Sequence, residues 1–128
     1  VRAWFEQCPE NRIFVSVLVL GEIRRGIERI RARDPRQAEA LESWLESVTQ
    51  QYEERILPVD VRVADRWGAM GALQPIAPVD GLLAATALTH QLTLVTRNVA
   101  DVESTGVKLL NPFSQPRRMA SDRPPRRR

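Results

Sequence analysis

The stretch Val79–Asp101, VDGLLAATALTHQLTLVTRNVAD, decides the fold of this chain. It predicts an apolar helix from about Gly81 to His90, opened by Asp80, and a strand from Leu92 to Arg97 that brings the chain back. At ~1.5 Å per helical residue and ~3.3 Å per strand residue, the two segments have comparable lengths. Asp80 and the turn from Asn98 to Asp101 are therefore expected at one edge of a sheet. In open α/β sheets, ligands bind at the edge formed by the carboxyl ends of the strands.

Strands alternate with helices along the rest of the chain. Further strands are predicted at Ile13–Ser16, Ile56–Val59 and Val107–Leu110, although Pro58 makes an interior position doubtful for the second of them. This alternation predicts a three-layer α/β/α domain with a short, mostly parallel sheet.

Three side chains with oxygen acceptors are predicted to begin helices. Ser16 precedes a helix ending near Arg33, and Asp34, followed by Pro35 and Gln37, has the signature of a helix start. Asp60 precedes a third helix. Apolar periodicity predicts the buried faces of these helices: Leu20, Ile23, Ile27 and Ile30; Leu41, Trp44, Leu45 and Val48; Ala64 and Trp67.

The two ends of the chain differ from its body. Val1, Trp4, Phe5 and Cys8 have helical spacing without a preceding cap or initiating Met, so the chain is expected to enter in mid-helix. Residues 114–128 hold six arginines against one aspartate and predict a disordered basic tail after a domain spanning 1–113. Such a tail could contact RNA without sequence preference, but it is more often only a solvated end.

Composition excludes several classes of protein. No apolar run approaches the ~20 residues of a membrane span, so no membrane association is expected. The single cysteine excludes an internal disulfide and predicts a cytoplasmic protein, and the single histidine excludes a His-rich metal site.

Oxygen donors near the predicted sheet edge point to a divalent-cation site. Asp80, Asn98 and Asp101 meet there with no nearby lysine, and Glu22 on the first helix is a third candidate acid. Each has a structural alternative: Asp80 as a helix N-cap, Asn98 and Asp101 as turn residues, and Glu22 as a surface residue paired with Arg25 or Arg29.

The sequence resembles a known family across residues 1–113. The resemblance is carried by the segments Ser16–Ile27 with Gly21-Glu22, Leu57–Asp60, Asp80-Gly81 with its Ala-rich helix, Thr96-Arg97-Asn98 and Asn111-Pro112-Phe113. Their order and spacing resemble a VapC-type toxin of the PIN-domain ribonucleases.

The resemblance implies a metal-dependent endoribonuclease, the toxin of a type II toxin–antitoxin system, using Mg²⁺ or Mn²⁺. It implies Glu22, Asp80 and Asp101 as metal ligands, with Asn98 in the same catalytic cluster. Thr96 would help to position the groups around the metal ligands, and Arg97 would face the RNA. It also implies a homodimer and a cognate antitoxin that inserts a C-terminal segment into the acidic groove.

One departure from the family pattern carries its own prediction. The family opens with a central strand ending in Asp-Thr-Asn, whose Asp is a principal metal ligand, and no such segment is present in this sequence. Unpaired buried backbone groups cost ~1–3 kcal/mol each, against a total stability of only ~5–15 kcal/mol. The 128 residues as printed are therefore predicted to be inactive or unstable, whereas the intact gene product is predicted to be a nuclease.

Other functions remain as alternatives. A catalytically dead PIN-like module could still bind antitoxin or dimerise. A receiver-like phosphotransfer domain needs a lysine across the pocket from its Asp, and none lies near Asp80. A purely nucleic-acid-binding protein is disfavoured because residues 1–113 carry more acidic than basic groups.

Overall fold

Two short pairs of parallel strands organise the residues that the computed structural model describes, which are 12–72 and 75–112. Strand β1 (Val15–Ser16) pairs with β2 (Ile56–Leu57), and β3 (Leu94–Val95) pairs with β4 (Leu109–Leu110). Within these ranges no strand joins the two pairs by hydrogen bonds. Among the described residues, the parallel sheet expected from the sequence is therefore present as two separate pairs of strands.

Helices connect and cover the strands, as the alternating pattern predicted. In the described part of the chain they are α1 (Val17–Arg31), α2 (Pro35–Gln51), α3 (Val61–Gly71), α4 (Pro78–Thr89) and the short α5 (Val99–Val102). Two 3-10 turns, Glu53–Arg55 and Glu103–Thr105, precede β2 and β4. No helix in the described ranges is long and apolar enough to cross a bilayer.

The three predicted caps are confirmed. The Ser16 hydroxyl accepts a hydrogen bond from the Leu18 amide at 3.0 Å. The Asp34 carboxylate accepts one from the Gln37 amide at 3.1 Å, and Asp60 accepts one from the Val63 amide at 3.0 Å. Each bond satisfies a helix N–H that has no partner within the helix.

The strands are shorter than predicted. β2 ends at Leu57 because Pro58 follows it and has no N–H to donate to a ladder. β3 covers only the middle of the predicted Leu92–Arg97, although the Thr96 amide still donates to the Leu110 carbonyl at 3.0 Å.

The predicted core is confirmed in part. Ile27, Ala38 and Leu45 form a buried cluster between α1 and α2, flanked by partly buried Leu20, Ile23, Ile30 and Leu41. A second buried cluster contains Ile13, Val15 and Tyr52, and a third contains Ala84, Ala87, Val102 and Val107. The core is thus divided among small clusters.

Three residues predicted to be buried are not. Trp44 is 44% exposed, since it lies at the margin of the α2 face centred on Ala38 and Leu45. On α3 the fully buried residue is Val63, whereas Ala64 is exposed and Trp67 is 38% exposed. The predicted N-terminal helix, Phe113 and the predicted basic tail lie outside the described residues.

Candidate active site

Asp80 lies within the first turn of α4. It is therefore not the N-cap residue, which would directly precede the helix. The helix begins at Pro78, because a proline at the first helical position has a suitable fixed φ and loses no hydrogen bond there. Ala77 precedes it and offers no capping side chain. The Asp80 carboxylate is partly buried and has no ion-pair partner among the described residues. A carboxylate in this position is stabilised by the positive end of the helix dipole.

The predicted turn from Asn98 to Asp101 begins the short helix α5. Asn98 occupies its N-cap position without a side-chain capping bond, and the Asp101 amide donates to the Asn98 carbonyl at 3.1 Å. The Thr96 hydroxyl accepts a hydrogen bond from the Asn98 amide at 3.0 Å. Thr96 therefore fixes this loop to the end of β3, while Arg97, Asn98 and Asp101 have exposed side chains.

The helices that carry Asp80 and Asp101 pack against each other. Val102, which is 2% exposed, belongs to the same buried cluster as Ala84 and Ala87 of α4. Ala84 lies one helical turn after Asp80, and Val102 directly follows Asp101. The packing therefore places the two acids on adjoining elements.

Glu22 stands apart in its contacts. Its carboxylate lies 3.7 Å from Nη1 of Arg25, and its side chain is 46% exposed. This ion pair agrees with the alternative interpretation of Glu22 as a surface residue paired with Arg25. The extensive contacts of α1 are with α2 and β1, not with α4. As a metal ligand, Glu22 stays a prediction.

Ionic contacts hold the helix of Glu22 on its neighbour. Arg24 Nη1 lies 2.7 Å from Glu42 on α2 and 2.9 Å from Glu28 on α1, and Arg31 reaches both acids. Hydrogen bonds from Arg31 and then Arg24 lower the pKa of Glu28 to about 2. Because all four side chains are substantially exposed, this network is expected to stabilise the helix pair only modestly.

The donor chemistry suits a hard cation, but the described residues do not assemble a full metal cluster. Within 12–72 and 75–112, no group of three His, Cys, Asp or Glu side chains lies close enough to hold an ion. Mg²⁺ usually takes only one or two protein carboxylates and keeps several waters. Asp80, which is partly buried and has no ion-pair partner in these ranges, fits the role of such a ligand.

The sequence did not predict the contact made by the residue after Asp80. Gly81 is buried under the indole of Trp67, and the two residues line a cavity of about 270 Å³ with Gly68, Met70, Gly71, Pro75 and Ile76. The available signal was a glycine in the first turn of a helix, where it lowers helix stability relative to alanine.

Comparisons with known proteins agree with this architecture. The family model described as PIN domain matches residues 1–100. The chain is 29% identical to the toxin FitB of Neisseria gonorrhoeae and 26% identical to the VapC ribonuclease Y4jK of Sinorhizobium fredii, in each case over 119 residues that cover 88% of this chain and 84% of the relative. The crystal structure of FitAcB from Neisseria gonorrhoeae superposes with a TM-score of 0.78 at 28% identity, covering 87% of this chain and 83% of the other.

Proposed function

The chain belongs to the PIN-domain family, and from this premise we propose that it is the toxin of a type II toxin–antitoxin system that cleaves RNA as a metal-dependent endoribonuclease. The observation that carries the proposal is the family match over residues 1–100, a segment that contains Glu22, Asp80 and Asn98. The similarity to one relative named as a toxin and to another named as a ribonuclease supports both the proposed toxin role and the proposed RNA cleavage.

The proposed roles follow from the chemistry of the side chains. A bound Mg²⁺ or Mn²⁺ ion would neutralise charge on the phosphate and make a bound water a better nucleophile. Asp80 would hold the ion directly, because it is partly buried and forms no ion pair with the other residues that the structure describes. Asp101 would bind or orient a water from the adjoining helix α5. Thr96 keeps Asn98 in place through its 3.0 Å hydrogen bond, and Arg97 would face the RNA backbone.

Glu22 would join this cluster only if its pairing with Arg25 is given up. That pair is long, at 3.7 Å, and exposed, so separating it should cost little. Glu22 is therefore proposed as a ligand that binds directly or through water when the ion is present.

The proposed partners are those of the family. They are an RNA substrate, a cognate antitoxin and a second copy of the chain, and the proposed compartment is the cytoplasm. An acidic groove would bind cationic groups of an antitoxin segment in the absence of the ion. RNA and antitoxin would then bind to the same surface of the chain.

RNA cleavage tests the proposal. Purified chain is incubated with total RNA and Mg²⁺ or Mn²⁺, with and without a chelator, and Asp80→Asn is compared with Asp65→Asn. Asp65 is an exposed acid on α3 that has no role in the proposed cluster, so its variant is a control with the same carboxylate-to-amide change. Asp80→Asn should lower cleavage at least about 100-fold, since metal stabilisation of the transition state contributes several kcal/mol. Equal cleavage by both variants, or cleavage that survives the chelator, would overturn the proposal.

A second function is favoured by one observation, the lack of a three-acid group among the described residues. A PIN-like module without activity would bind antitoxin or dimerise and leave RNA intact. In that case neither the chain nor Asp80→Asn cleaves RNA, while both bind antitoxin with equal affinity.

A further inference from the structure

We infer that Trp67 is a positioning residue for Asp80, because its indole rests on Gly81 and holds the first turn of α4. This inference rests on the proposed function only in the role it gives to Asp80. Trp67 itself makes no contact with a reacting group in the proposed mechanism and acts through the backbone of its neighbour.

The contact is a close approach that a Cβ at position 81 would crowd. A Cβ built on Gly81 would lie 3.0 Å from Cδ1 and 3.1 Å from Nε1 of Trp67, and 3.6 Å from Cγ2 of Ile76. These first two distances are shorter than ordinary van der Waals contact. The indole therefore occupies the space that any other side chain at position 81 would fill.

Other described helical glycines do not share this environment. A Cβ at Gly21, Gly26, Gly68 or Gly71 would meet nothing within 4 Å. The glycine that directly follows Asp80 is thus distinguished from these by the side chain packed on it, and not by its helical position alone.

The first turn of α4 needs such support. Ala77 provides no side-chain cap, and a glycine within the turn gives the backbone additional freedom. The buried residues Ala84 and Ala85 anchor the helix only from its second turn onward. The indole of Trp67, on the helix α3 that packs extensively along α4, supplies the missing restraint next to Asp80.

A rescue experiment separates positioning from simple packing. Gly81→Ala makes the indole shift by a few tenths of an ångström, and combining it with Trp67→Leu replaces the rigid ring by a smaller, flexible side chain that can make room for the added methyl group. Gly68→Ala is the matched control, since it adds the same methyl to open space beside Trp67. Affinity for Mn²⁺ is measured by calorimetry, and thermal melts verify that each variant is folded.

Gly81→Ala should weaken Mn²⁺ binding about tenfold, as changes in residues that orient metal ligands do. The double variant should recover most of the affinity, and Gly68→Ala should bind like the parent chain. A folded Gly81→Ala that binds Mn²⁺ normally, or a double variant as weak as the single one, would overturn the inference.

A second readout keeps the inference distinct from the proposed function. The Gly81 amide donates to the Ala77 carbonyl at 2.9 Å, so its hydrogen-exchange rate reports the order of the first turn without any metal. Trp67→Ala should speed this exchange at least about tenfold, whereas Gly68→Ala should leave it unchanged. If Asp80→Asn leaves Mn²⁺ binding intact but Trp67→Ala speeds exchange, the nuclease proposal fails and the restraint by Trp67 stands. Unchanged exchange in a folded Trp67→Ala overturns the restraint.

Discussion

Truncating Val102 should be among the more damaging single changes to the element that carries Asp101. Val102 is 2% exposed and packs in one cluster with Ala84 and Ala87 of α4. Val102→Ala removes two buried carbon atoms at about 0.8 kcal/mol each and leaves a cavity between α5 and α4. Together these effects lower the free energy of unfolding by roughly 2–3 kcal/mol. Against a total of about 5–15 kcal/mol, such a loss is easily measured.

The assay is urea unfolding followed by far-UV circular dichroism, with Val61→Ala as the matched control. Val61 is 84% exposed, so the same chemical change there should alter the free energy of unfolding by less than about 0.5 kcal/mol. If the two variants unfold at the same urea concentration, the packing of α5 on α4 does not contribute as described.

Other changes test the caps, the ionic network and the prediction that a further N-terminal strand is required. Asp34→Ala and Asp60→Ala should each lower the free energy of unfolding by about 1 kcal/mol in thermal melts, because each leaves a helix N–H without its partner, whereas Asp65→Ala should not. Since the pKa of Glu28 is lowered from 4.5 to about 2, its stabilising effect is present at neutral pH and is lost as the pH falls from about 4.5 towards 2. Unfolding across that range should therefore depend less on pH in Glu28→Gln than in the parent chain, and identical pH profiles would argue against the network. Joining to the N-terminus a strand that ends in Asp-Thr-Asn, the segment with which the family pattern opens, should raise both stability and Mg²⁺-dependent cleavage. Equal and robust cleavage by the extended and printed chains would show that the strand is dispensable.

Local features were predictable from the sequence because their causes are local. Ser16, Asp34 and Asp60 each cap a helix through an amide two or three residues away, so short spacing alone was sufficient. The start of α4 was misplaced by the same kind of reasoning. Asp80 has the chemistry of a cap, but Pro78 sets the first helical position, and the acid falls inside the turn.

Long-range features were less accessible. Periodicity identified the side of α2 that faces α1, but it could not weigh Trp44 against its neighbours at the margin of that face. On α3 periodicity did not identify Val63 as the buried residue, because its burial depends on neighbours that are distant in sequence. The contact between Trp67 and Gly81 joins two helices and could not be derived from either segment alone.

In the candidate site, too, some features were predictable from the sequence and others were not. The sequence placed Asp80 and Asp101 on two elements that prove to pack together through Val102 and Ala84. The sequence allowed two roles for Glu22, a metal ligand or a surface residue, because a residue at the margin of a helix face can face either a site or solvent. The contact with Arg25 agrees with the surface role, and only a structure with a bound ion would test the role as a metal ligand.

Anomalous diffraction from crystals grown with Mn²⁺ would show whether Asp80 binds a divalent cation. We expect a peak about 2 Å from a carboxylate oxygen of Asp80, with Asp101 on the adjoining helix near enough to bind the ion directly or through a water. A peak elsewhere, or none near Asp80 at Mn²⁺ concentrations that support cleavage, would contradict this expectation.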